Sequence, residues 1–293
     1  MSASSPSPAF LFSLDVEDVR AFVAGGERFR DAVVSNVERY LQFLERHSVR
    51  CTFFVVGDVA RRYPQLVRDL VSQGHEIACH TSDHLTLDRQ SPASFREDLL
   101  RNLDDLGRAG ASDVCGFRAP VLSLTERTAW AYEVLAEIGF SYSSSVLPAR
   151  SPLHGWPGFS PQATRARSGV WELPVSVSGW PGLNVPFAAG VYFRMLPFFL
   201  VRRLFHREMA AGRSVVGYFH PYDVDVQQEH FMHPELGGNH LLNWMMYRNR
   251  HLLLPRLDKL LGKGCAIVLY KSFVARLEGR SVAEEEPRGS EPG

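Results

Sequence analysis

Short apolar runs alternate along this chain with longer stretches whose apolar residues recur every three or four positions, a pattern that predicts strands joined by crossover helices. Residues 10–14 read as a buried strand. Residues 31–47 follow, with Val33, Val34, Val37, Tyr40, Leu41 and Leu44 on one helical face. Residues 52–56 are β-branched and aromatic, a second strand, and Gly57-Asp58 opens a helix running through Tyr63-Pro64 to Gln73 and closed by Gly74. A turn then leads into a third strand ending at Cys79. Ser91 caps the next helix, with Pro92 at its first position and Phe95, Leu99, Leu100, Leu103 and Leu106 on its buried face. Further strands are expected over 114–117, 140–146, 170–175, 214–219 and 265–270, and further helices over 125–139, 196–211 and 250–261. Strands that alternate with helices predict an α/β fold with a parallel sheet. Periodicity fails in two places. Residues 148–161 are rich in Pro, Gly and aromatics, and residues 230–249 carry an unusual share of His, Met, Asn and Trp. The first reads as an ordered loop beside a site and the second as an excursion over the barrel mouth.

A chain of 293 residues with 45% hydrophobic content can bury one large core. The expectation is a single catalytic domain over 9–277, with disordered segments at 1–8 and 278–293. Lys+Arg and Asp+Glu both number 32, so no basic field exists to gather nucleic acid or anionic lipid. The run from Ala9 to Leu14 is too short for an export signal, and the apolar stretch from Met195 soon meets Arg202 and Arg203, so no transmembrane segment and a cytoplasmic location are expected. Cys51, Cys79, Cys115 and Cys265 are far apart and form no C-x-x-C pair, which reads as reduced cysteines in or near the core. Oligomeric state is not legible.

Polar groups recur where the apolar runs end. His80 and His84, four residues apart, follow the third strand, on a helical turn or the edge of a tight loop, and can reach a single cation. Asp15, Glu17 and Asp18 follow the first strand, Arg118 and Pro120 the fourth, and His220 a late one. Parallel α/β folds place their chemistry at the carboxyl ends of strands, so one shared site is implied. Two neutral imidazoles need an anionic third ligand, and the acidic cluster supplies it. A bound divalent ion activates water, a free carboxylate takes its proton, and a histidine can protonate a leaving amine. Arg118 can clamp a carboxylate and fix its orientation. Trp156, Trp171 and Trp180 could offer flat faces to a sugar, although core packing is the commoner use of tryptophan.

Together, Ser13-Leu-Asp15, Thr52-Phe-Phe, Gly74-His75-Glu76-Ile77 with His80-Thr-Ser-Asp-His84, Phe117-Arg118-Ala-Pro120 and Phe219-His220 resemble the polysaccharide deacetylase family with the NodB homology domain, carbohydrate esterase family 4. The motifs occur in family order over nearly the whole chain. The form of the first and third motifs, with the Gly190-Val-Tyr-Phe-Arg194 and His220-Pro221 segments, resembles the branch found in bacterial exopolysaccharide and surface-glycan loci. The resemblance implies a distorted (β/α) barrel of seven parallel strands and metal-dependent removal of acetyl from an N-acetylated sugar or glycan precursor. It implies Asp15 as general base, Arg118 as its orienting partner, His220 as general acid, His80 and His84 as metal ligands, and zinc as the usual metal. Val121 would offer its N–H to the oxyanion. Where the family has adjacent aspartates, Val16 follows Asp15, so the third ligand is Glu17 or Asp18. An extended backbone keeps Glu17 on the face of Asp15, and a bulge would favour Asp18. Tyr218 replaces a Leu associated with the acetyl pocket. A hydrolase of another small C–N substrate on the same fold, and a barrel that only binds glycan, are the alternatives.

Overall fold

The structure is a computed structural model, and it describes residues 7–180, 184–261 and 265–280. The expected disorder of the outermost termini lies outside the described residues. In chain order the elements are β1 (Phe10–Val16), α1 (Val33–Arg46), β2 (Thr52–Val55), α2 (Gly57–Arg62), α3 (Pro64–Ser72), β3 (Glu76–Cys79), α4 (Pro92–Arg108), β4 (Gly116–Phe117), α5 (Ala131–Ile138), β5 (Tyr142–Ser143), β6 (Thr164–Arg165), β7 (Trp171–Glu172), α6 (Gly190–Met195), α7 (Phe198–Ala210), β8 (Val215–Phe219), α8 (His240–Tyr247), α9 (Leu253–Leu261) and α10 (Tyr270–Leu277). The strands form one sheet in the order β6-β7-β5-β4-β3-β2-β1-β8. Every pairing is parallel except β6 with β7. The sheet curls until the segment after β7 meets β8, where the Ser176 N–H donates to the Val216 carbonyl at 3.0 Å. The result is a distorted barrel whose seven parallel strands carry one short antiparallel addition.

The two-residue period of β1 sorts its side chains. Phe10, Phe12, Leu14 and Val16 join the largest apolar cluster, which α1, α3, α7 and α9 also line. Leu11 faces the other way, into the barrel interior with Phe54, Tyr142, Leu173 and Tyr270. Ser13 and Asp15 share that inward face, where both meet Arg118. An interior lined this way positions polar groups at the top of an otherwise apolar barrel.

Several expected elements are corrected. Residues 265–270 do not form a strand: Ile267 makes a single bridge to Phe10, and Tyr270 already begins α10. Farther along β1 the edge is taken, because β2 pairs with Ser13 to Val16 and β8 with Phe10 to Leu14. The helix expected over 57–73 breaks at Tyr63, since Pro64 supplies no N–H and starts α3 at its first position. Strands expected over 140–146 and 170–175 shrink to two residues each. The helix expected from Thr125 starts as a single 3-10 turn, and α5 follows from Ala131.

At the amino-terminal end of β3, Glu76 is buried and ties four elements together. Its carboxylate accepts from Thr52 Oγ1 at 2.6 Å, Tyr142 OH at 2.7 Å and the Lys271 N–H at 3.1 Å. Burial pushes its carboxyl up, against the opposing effect of these donors. Glu76→Ala leaves three donors without their acceptor, and urea denaturation should show a loss of about 3 kcal/mol. A midpoint unchanged from the parent would show that the network carries no stability.

Candidate active site

The loop after β3 is not a helical turn. Thr81 and His84 both adopt left-handed backbone conformations, with φ of 62° and 54°. Such residues are strained and tend to persist where surrounding structure over-determines them. Here Asn102 of α4 donates from Nδ2 to the Thr81 carbonyl at 2.6 Å, and Asp98 accepts from the Ser82 N–H at 3.2 Å. The loop turns both imidazoles toward Glu17. One donor atom from each of Glu17, His80 and His84 lies within 4.8 Å of the others, and all three residues are buried.

The alternation of β1 continues two residues past Asp15, so Glu17 falls on the inward face beside it. Glu17 Oε2 stands 2.6 Å from His84 Nε2. Asp18 turns outward instead, accepts from the Arg20 N–H as a cap, and pairs with Arg20 at 2.7 Å and Arg62 at 2.8 Å. Burial works against the charge of Glu17, yet His84 and His220 hold its carboxyl well below the usual range. His80 donates from Nδ1 to the Arg118 carbonyl at 2.8 Å, which leaves Nε2 as the lone-pair nitrogen. Burial lowers His80 to about 4, so its ring is neutral in the physiological range, as a ligand's must be. A carboxylate, two imidazoles and an oriented ring tautomer fit a divalent transition ion.

Arg118 is fully buried and locked from every side. Nη1 donates to Asp15 Oδ1 at 2.6 Å and Ser13 Oγ at 2.7 Å, Nε to the Ser144 carbonyl at 2.8 Å, and Nη2 to Ser144 Oγ at 2.8 Å and Tyr270 OH at 3.1 Å. Its guanidinium also lies 4.0 Å from the Phe54 ring centroid. This cage fixes the Asp15 carboxylate. Val121, with φ of 55°, and Tyr218 line the same cavity as Asp15, Glu17, His80 and His84.

His220 follows β8 and completes the lining. Its Nε2 is 3.8 Å from Glu17 Oε1, and its ring stacks on Tyr222 with centroids 4.6 Å apart. Asp223 Oδ2 accepts from the His220 N–H at 2.9 Å and lies 3.4 Å from Nδ1, while Asp223 Oδ1 accepts from Arg194 Nη2 at 2.8 Å. Burial opposes a positive charge here, but Asp223, with Glu17 and Asp15, raises His220 to about 9. Sequence reasoning assigns no role to Asp223 or Arg194. An acidic residue three positions after a strand-end histidine is the available signal for Asp223; for Arg194 the signal is its place at the end of Gly190-Val-Tyr-Phe-Arg194, a segment whose form resembles the surface-glycan branch.

Gly190 holds this relay in place. A Cβ there would sit 2.1 Å from Asp223 Oδ2. Gly190→Ala should therefore displace Asp223 and lower turnover about a hundredfold, with bound metal unchanged by elemental analysis. Parental turnover would mean that the position of Asp223 is immaterial.

The tryptophans lie elsewhere. Trp156 packs against Phe159 with centroids 4.7 Å apart and joins the cluster around α4 and α5. Trp180 packs against the main core, and Trp171 donates from Nε1 to Glu278 at 3.3 Å. Trp156 and Trp180, expected as candidate sugar contacts, are only partly buried and stand outside the lining of the cavity that holds Glu17, His80 and His84. The excursion over 230–249 does reach the cavity, through His233, Leu242, Met245 and Met246.

A curled, mostly parallel sheet around a buried cluster of two histidines and a carboxylate defines a distorted α/β barrel with a candidate metal centre. Residues 28–142 match the family model described as polysaccharide deacetylase, and residues 144–268 match a domain of unknown function, DUF3473. Over residues 28–142 the match is thus to a polysaccharide deacetylase domain of the NodB-homology, carbohydrate esterase family 4 type. A chitooligosaccharide deacetylase of Bradyrhizobium sp. (strain ANU 289) is 42% identical over 60 residues, 20% of this chain and 27% of its own. A peptidoglycan-N-acetylglucosamine deacetylase of Bacillus cereus is 28% identical over 96 residues, 32% of this chain and 35% of its own. The chain thus spans about a third of the length of the curated relatives it matches. A candidate polysaccharide deacetylase from Mycobacterium smegmatis shares the fold over 98% of both chains, with a TM-score of 0.61 at 20% identity. A family 4 carbohydrate esterase from Streptomyces lividans, solved with acetate, aligns over 96% of this chain and 99% of its own, with a TM-score of 0.50 at 17% identity.

Proposed function

We propose that this protein is a divalent-metal deacetylase that removes the N-acetyl group from an amino sugar of a bacterial surface glycan or its precursor. The observation that carries this reading is the meeting, in one cavity, of Glu17, His80 and His84 with the Arg118-caged Asp15 and the Asp223-held His220. Glu17, His80 and His84 would hold the ion, zinc by preference, which supplies an activated water and a positive charge beside the carbonyl oxygen. Asp15, aligned by Arg118, accepts a proton from the attacking water. His220, protonated and oriented by Asp223, delivers one to the departing amine nitrogen. The Val121 N–H donates to the developing oxyanion, and Tyr218 borders the acetyl group.

The test is acetate release from N-acetylated chitooligosaccharides and peptidoglycan fragments by metal-replete protein, with loss on chelation and recovery on adding zinc. Ammonia or urea-type products from small amides would replace this reading with the alternative hydrolase. Binding of glycan with no turnover would leave a binding barrel.

A further inference from the structure

The proposed chemistry leaves one buried polar group of this cavity without a task. His233 is 2% exposed and lines the same cavity as Glu17, His80, His84 and His220. It belongs to the segment before α8, inside the stretch that matches a domain with no described function. The ring meets Tyr222 edge-on with centroids 5.1 Å apart and lies beside Phe231 at 6.2 Å. The backbone around it is pinned by α8. The His233 N–H donates to Asn243 Oδ1 at 2.9 Å, and the Phe231 carbonyl accepts from Asn243 Nδ2 at 3.1 Å and Tyr247 OH at 3.0 Å. Tyr222, which meets the ring, also stacks on His220. A ring so firmly placed nevertheless has no hydrogen-bond partner for Nε2 among the described residues.

A buried polar atom without a partner weakens a fold, and proteins keep few of them. The other residues of this excursion that line the cavity, Leu236, Leu242, Met245 and Met246, present apolar surface to it. That surface suits the C–H face of a sugar ring, which then needs a polar contact to fix its rotation. We propose that His233 is a substrate-binding residue whose Nε2 hydrogen-bonds a hydroxyl or ring-substituent oxygen of the sugar that carries the acetamide. The imidazole can serve as donor or acceptor there, according to its tautomer. This inference rests on the deacetylase reading for the identity of the ligand.

The experiment compares parent, His233→Ala and His233→Asn as full-length, metal-replete proteins with an N-acetylated chitooligosaccharide as probe. Acetate release gives kcat and KM, and calorimetry gives Kd. His233→Ala should raise KM and Kd about tenfold, the size of one lost hydrogen bond, with the loss carried by KM rather than kcat. Its metal content should equal the parent's, and its melting temperature should fall by a few degrees, because the ring contacts with Tyr222 and Phe231 are lost with the nitrogen. His233→Asn should recover part of the affinity. Unchanged KM and Kd would overturn the inference. Loss of metal in His233→Ala would make the residue a ligand and overturn it as well. A loss carried by kcat, with KM and Kd at the parental values, would reduce it to a structural role. If the parent releases no acetate, the deacetylase reading fails and calorimetry decides this one. Weaker binding by His233→Ala then supports it, whereas equal binding, or none by the parent, overturns it.

Discussion

Replacing His80 by alanine should remove bound metal and lower turnover by more than a hundredfold while the protein stays folded. Changing a group that merely orients a metal ligand typically costs about 10- to 100-fold. His80 is one of three donors that converge within 4.8 Å, so its loss should cost more. The Arg118 carbonyl that accepts from its Nδ1 keeps a place on the sheet, because the Arg118 N–H still donates to the Cys79 carbonyl at 2.9 Å. Elemental analysis of protein purified without chelator gives the result directly. Stoichiometric metal in the variant would sink the ligand assignment. The same measurement separates the two acidic candidates. Glu17→Gln should lose metal, whereas Asp18→Asn should retain it, since Asp18 is engaged by Arg20 and Arg62.

Asp15→Asn should behave in the opposite way, keeping metal and losing about 10²- to 10⁴-fold in kcat, the range expected when a positioned general base is removed. The substitution is nearly isosteric, and the carbonyl oxygen of the amide can still accept from Arg118. Shape is thus retained while the proton acceptor is lost. Arg118 itself is a poorer subject: removing it strands the buried partners Asp15, Ser13, Ser144 and Tyr270, and a destabilisation of roughly 3–5 kcal/mol would confound the kinetics. Acetate release by Asp15→Asn at the parental rate would show that another group takes the proton.

Local periodicity accounts for what could be read in advance. The two-residue period of β1 separates Phe10, Phe12 and Leu14, which meet the helices, from Ser13 and Asp15, which meet Arg118. Carried two residues further it places Glu17 rather than Asp18 beside the histidines. The Ser91 cap and Pro92 mark the start of α4 because capping is settled by neighbouring residues. Failures cluster where competition between distant segments decides. Residues 265–270 have strand composition, but β2 and β8 occupy both edges of β1.

The sequence by itself therefore determined the alternation of strand and helix, the inward face of β1 and the polar groups gathered at the strand ends. These follow from side-chain period and local backbone preference, which need no knowledge of distant partners. Only the tertiary structure decided that Arg194 supports Asp223 across 29 residues, that Trp156 and Trp180 stand outside the lining of the cavity, and that His233 enters it with Nε2 unmatched. Each depends on which segments the curled sheet and its excursion bring within hydrogen-bond or van der Waals reach, a property that no local window of sequence contains.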